Sequence, residues 1–136
     1  MGSSAPLALN WLAIISAAAT GFIIGGIWYG PLLGKAWMRA SGVTEEAAQR
    51  SNKARTFGLT ALLNLIASIS LAMFIGAQGD WYFGLFAGFM TGLTFVSTAL
   101  GVTYLFEMRP LRLFLINAGY QTVNFSAMGL ILGAWH

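Results

Sequence analysis

The stretch Tyr104–Asn124, YLFEMRPLRLFLINAGYQTVN, decides how the rest of the chain is read. It leaves one apolar run, crosses Glu107, Arg109, Pro110 and Arg112 in close succession, and enters a second apolar run. Proline has no backbone N–H and pushes the residue before it out of the helical region, so one helix must end and another begin here. The second run carries Asn117, Tyr120, Gln121 and Asn124. At about 100° per residue these four fall within one narrow arc, and Met128 continues it. Roughly opposite lie Ala118, Gly119, Thr122, Ser126, Gly129 and Gly133. An amide face left open to hydrocarbon costs several kcal/mol per unsatisfied group, and a small-residue face favours a close neighbour. This segment is therefore expected to be buried on two sides.

Composition says what kind of solvent surrounds it. The chain of 136 residues is 57% hydrophobic and 8% charged, with mean hydropathy +0.73. Soluble domains carry about 25% charged residues, so an integral membrane protein is expected. Four apolar segments approach the roughly 20 residues that a spanning helix needs, at about Leu7–Tyr29, Phe57–Ala77, Trp81–Phe106 and Leu113–Trp135. They predict an all-α fold, an integral membrane four-helix bundle forming one domain over residues 1–136. The absence of cysteine excludes disulfides and thiolate chemistry, and the one histidine is His136. No acid, base or histidine falls deep within a segment, which speaks against a proton relay, an enzyme, a metal site or a bound cofactor. The first residues lack the basic region of a cleavable signal, and Pro6 stands where a myristoylation motif needs Ser or Thr.

The charges sort by side. Lys35, Arg39, Arg50, Lys53 and Arg55 lie between segments one and two, and Arg109 and Arg112 lie between three and four. The positive-inside rule then places loops 30–56 and 107–112 in the cytoplasm and both termini outside. This distribution argues against a nucleic-acid partner; the lipid bilayer is the partner expected. In the first loop, Leu32, Leu33, Ala36, Trp37 and Ala40 oppose Lys35 and Arg39, which predicts a short interfacial helix. Ser41-Gly42 should break it, and Thr44 followed by Glu45 and Glu46 should start another. Trp11, Trp28, Trp37, Trp81 and Trp135 all fall near segment ends, as an aromatic belt does.

Helix faces add the candidate sites. Gly84, Gly88 and Gly92 form a stripe in segment three, with Thr91, Thr94, Thr98 and Gly101 beside it and Leu85, Phe89 and Leu93 on the far side. Gly21 and Gly25 lie on one face of segment one, and Thr60, Asn64 and Ser68 on one face of segment two. With Gly129 and Gly133, the glycines are candidates for close helix packing. Asn117, Tyr120, Gln121 and Asn124 are a candidate polar lining within the membrane, with interhelical hydrogen bonding the plainer reading. Counting depth from the segment ends places Asn124 near mid-membrane and Asn64 nearer the inner side. Trp28, Tyr29, Lys35, Trp37, Glu107, Arg109 and Arg112 form an inner-surface cluster, in which Glu107 is expected to pair with Lys35.

Two stretches, WYGPLLGKAWM (Trp28–Met38) and YLFEMRPLRLFLINAGY (Tyr104–Tyr120), together with Asn10-Trp11, resemble the small bacterial membrane proteins of domain of unknown function 1761. The resemblance implies four membrane helices and the bacterial inner membrane, and it brings no activity. Trp28, Tyr29, Gly30, Pro31, Lys35, Trp37, Glu107, Arg109, Pro110, Asn117 and Tyr120 match that pattern. The sequence therefore predicts a non-enzymatic membrane protein acting through helix–helix contacts, as a homo-oligomer or as an accessory subunit of a larger membrane complex. The alternative is a channel or transporter for a small neutral or anionic solute.

Overall fold

The computed structural model describes residues 9–76 and 79–135. Among them the secondary structure is helical throughout, with no strand. Helix α1 (Trp11–Ile27) starts at Asn10, whose side chain accepts from the Ala13 N–H at 3.2 Å. It runs into a π-helical turn, Trp28–Leu32, where Gly30 leaves helical geometry (φ −105°, ψ −106°) directly before Pro31. Two short helices follow, α2 (Gly34–Ser41) and α3 (Glu45–Arg50). Gly42, at φ +81°, ends α2, and Thr44 caps α3 by accepting from the Ala47 N–H at 3.1 Å.

Helix α4 (Lys53–Ile75) is capped by Asn52, which accepts from the Arg55 N–H at 3.1 Å. Its start lies earlier than the expected Phe57, because the Asn52 cap satisfies the first turn and draws Lys53 and Arg55 into the helix. Asp80 caps α5 (Trp81–Met90), accepting from the Phe83 N–H at 2.9 Å. A second π-helical turn, Thr91–Val96, joins α5 to α6 (Ser97–Phe106). Met108 takes a left-handed conformation (φ +56°), and Pro110 precedes α7 (Leu111–Ala134). The expected starts and ends at Leu7 and Ala77 lie outside the described residues, as does His136.

Three stretches are long and apolar enough to cross a membrane: Trp11–Leu32, Lys53–Ile75 and Trp81–Phe106. Helix α7 matches them in length but is interrupted by its amides, and it is the most deeply packed of the helices.

Helices α5 and α7 make the most extensive contact in the molecule. Gly84 faces Gly129 and Gly133, Gly88 faces Phe125 and Ser126, and Gly92 faces Gln121 and Thr122. A Cβ added at Gly84, Gly88 or Gly129 would overlap a carbonyl oxygen of the other helix, so the two backbones touch without side chains between them. On the other side of α7, Ala13, Ile14 and Ala17 of α1 pack with Leu71, Ile75, Met128 and Leu132 into an apolar core. Within it the Ser68 hydroxyl donates to the Ile14 carbonyl at 2.8 Å.

The π turn corrects the expected face of segment three. It inserts one residue into the helical count, so the inward series runs Gly84, Gly88, Gly92, then Ser97 and Gly101. Ser97 is buried and donates to the Gly92 carbonyl at 2.6 Å, whereas Thr94 and Thr98 point outward and bond back to their own helix.

Candidate functional site

One end of the molecule collects polar aromatic side chains. The π turn at the end of α1 carries Trp28 and Tyr29 toward α7. Trp28 donates from Nε1 to the Ile116 carbonyl at 2.9 Å, and its ring fills the space beside Gly119. Trp28 is thus a wedge between two helices as well as an aromatic near a segment end. Tyr29 donates to Asn117 Oδ1 at 2.6 Å, and Asn117 Nδ2 donates to the Tyr104 hydroxyl at 2.8 Å. Asn117 therefore ties α1, α6 and α7 together. The Tyr29 ring meets Trp37 and Tyr120 edge-on, at centroid distances of 5.9 and 5.2 Å. Trp37 of α2 accordingly packs against the bundle.

Tyr29, Trp37, Tyr104, Asn117 and Tyr120 wall an open cavity of about 470 Å³, completed by Thr56, Thr60, Leu100 and Gln121. No residue lining it is an acid, a base or a histidine. A neighbouring cavity of about 400 Å³ runs past Gly25, Gly26 and Phe57, and both share Tyr29, Thr60 and Tyr120. Tyr120 donates to the Gly21 carbonyl at 3.0 Å, and Gly21 also lines the neighbouring cavity. Among the described residues, Gln121 has no side-chain hydrogen bond and offers its amide to the cavity.

The four candidates of the polar face thus have different surroundings. Asn117 is consumed in structural bonds, Tyr120 bonds the Gly21 carbonyl, Gln121 is an open wall, and Asn124 lies deeper, buried beside Gly21. Asn64 stands level with Asn124, both reaching over Gly21. A depth counted from Phe57 puts Asn64 nearer the inner surface; α4 begins at Lys53 and carries it further along. Sequence reasoning left Tyr104, Thr56 and Thr60 out of the site; only the crossing of the helices brings them to Asn117 and Tyr120.

The inner-surface cluster is divided. Glu107 pairs with Arg109 at 3.8 Å, the one ion pair among the described residues, and not with Lys35. The left-handed turn at Met108 folds the chain so that its two neighbours meet, and the Arg109 N–H donates to the Tyr104 carbonyl at 2.9 Å. The Arg109 guanidinium also reaches the Ser41 carbonyl at 3.4 Å, which joins the two loops in the way expected of Lys35. Arg112 is exposed at the start of α7.

Fold and site together define a helical protein with three stretches long and apolar enough to cross a membrane and a neutral, aromatic-lined cavity at one end. The model of the family described as Protein of unknown function (DUF1761) matches residues 12–133. The chain belongs to that family. No curated protein and no solved structure matches it.

Proposed function

We propose that the chain is a non-enzymatic membrane protein of four spans, α7 being the fourth, whose neutral cavity receives a small uncharged solute from the cytoplasmic side. The cavity of about 470 Å³ between Tyr29, Tyr104, Asn117, Tyr120 and Gln121 carries this reading. Phenol and amide groups at hydrocarbon depth are expensive unless they serve packing or a ligand, and Gln121 is not spent on packing. The absence of a charge among the lining residues favours a neutral solute over an ion. The basic residues of the flanking loops support a cytoplasmic opening in a bacterial inner membrane.

Assembly with copies of itself or as an accessory subunit is the weaker reading. The small-residue faces that would favour it are occupied: all seven candidate packing glycines have neighbours within this chain. Stopped-flow light scattering on proteoliposomes tests the proposal with urea, glycerol and acetamide. The expected outcome is faster solute entry than in empty vesicles, returned to background by Thr60→Trp, which fills the cavity. If no solute separated wild type from Thr60→Trp, the reading would be lost.

A further inference from the structure

Helices α1 and α4 pack tightly at one end and part toward the other. Ile14 and Ala17 pack with Leu71 and Ile75, and the Ser68 hydroxyl bonds the Ile14 carbonyl. Toward the loop that joins the two helices, a groove of about 400 Å³ lies between them. Gly21, Gly25, Gly26 and Gly30 line it from α1 and its π turn, and Phe57 and Thr60 line it from α4. A Cβ at Gly84, Gly88 or Gly129 would strike a neighbouring backbone, but at Gly26 or Gly30 it would meet nothing within 4 Å. That wall is left uncovered by the chain's own side chains. From Gly21 to Gly30 the groove is roughly 13 Å long at 1.5 Å per residue, close to the hydrocarbon depth of one bilayer leaflet. Its loop end is basic. Lys53 stands one turn before Phe57 on the same face of α4, and its ammonium donates to the Ala48 carbonyl at 3.2 Å. Among the described residues the one ion pair is Glu107 with Arg109, so Lys53 and the other four basic residues of this loop have no carboxylate partner.

We propose that the groove between α1 and α4 binds one anionic phospholipid, with an acyl chain along residues 21–30 and the phosphate at Lys53. The two halves of the site ask for different chemistry, and one molecule supplies both. Glycine and phenylalanine walls one leaflet deep suit a hydrocarbon chain, and unpaired basic residues at the headgroup level attract an anionic lipid. A zwitterionic lipid of the same chains satisfies only the groove. A chain seated there also completes the lateral wall of the neighbouring cavity, because the groove and that cavity share Tyr29, Thr60 and Tyr120. The site does not depend on passage of a solute through that cavity.

The test is native mass spectrometry of the full chain in detergent micelles, titrated with dioleoyl phosphatidylglycerol or with dioleoyl phosphatidylcholine. One phosphatidylglycerol should be retained, at a concentration roughly tenfold lower than phosphatidylcholine requires. Gly26→Phe, which sets a ring in the open part of the groove, should abolish that retention while leaving the melting temperature in lipid-free detergent unchanged. Lys53→Gln should cut the preference for phosphatidylglycerol about fivefold and leave phosphatidylcholine retention as it was. A second measurement needs no variant. Phosphatidylglycerol spin-labelled on its chain should broaden the backbone amide signals of Gly25 and Gly26 at a lower lipid concentration than that of Phe95, which is exposed on the outside of the bundle. Equal retention of the two lipids would overturn the anionic site. Retention that survives Gly26→Phe, or equal broadening at Gly26 and Phe95, would overturn the groove as its place.

Discussion

Asn117 uses both ends of one amide, accepting from Tyr29 and donating to Tyr104. Tyr29→Phe and Tyr104→Phe should each cost about 0.6–2 kcal/mol in a detergent unfolding assay. In the Asn117→Leu background both costs should nearly vanish, since the partner is already gone; full additivity would show that the bonds contribute nothing. Glu107 lies at the opposite extreme. Its side chain and that of Arg109 are 56% and 39% exposed, so Glu107→Gln should change stability by less than about 1 kcal/mol, and Lys35→Met should not modify the effect. A double-mutant cycle checks this. The helical period made Asn117, Tyr120, Gln121 and Asn124 legible as one arc. It gave no sign of which would be satisfied, because the partners come from Tyr29, Tyr104 and Gly21, all distant in sequence.

At the scale of helices, the contact between α5 and α7 predicts a sharp asymmetry. Gly88→Leu should lower stability by about 3 kcal/mol, since even a Cβ there overlaps the Phe125 carbonyl. Leu93→Ala, on an outward face, should stay within about 0.5 kcal/mol. Similar melting temperatures in detergent would contradict the asymmetry. The glycine spacing made Gly84, Gly88 and Gly92 readable as a packing stripe, but the stripe could not be followed past Thr91. A π turn adds one residue without requiring a particular side chain, so Ser97 and Thr98 exchange roles with no local signal. Asn64 lies level with Asn124, further along than its spacing from Phe57 implies, for a related reason. Lys53 and Arg55 look like loop residues, yet the Asn52 cap draws them into α4.

For the whole molecule, the basic residues predict sidedness, and the cysteine-free chain makes the measurement clean. Ser51→Cys should resist an impermeant thiol reagent applied to intact cells, whereas Ala134→Cys should react. The reverse pattern would invert the proposed orientation. Another consequence lies in how unevenly α4 is held. Its buried residues, Ser68, Leu71 and Ile75, all belong to one end, and Lys53–Leu63 is exposed apart from the half-buried Thr60. Helices α5 and α7, by contrast, are joined backbone to backbone. The molecule thus has a stiff spine and an arm anchored at the shoulder, with Thr56 and Thr60, which line the cavity, on the free forearm. Amide hydrogen exchange should be slowest along the spine and fastest over Lys53–Leu63. The chamber can then widen by the swing of one helix, leaving the glycine contact undisturbed.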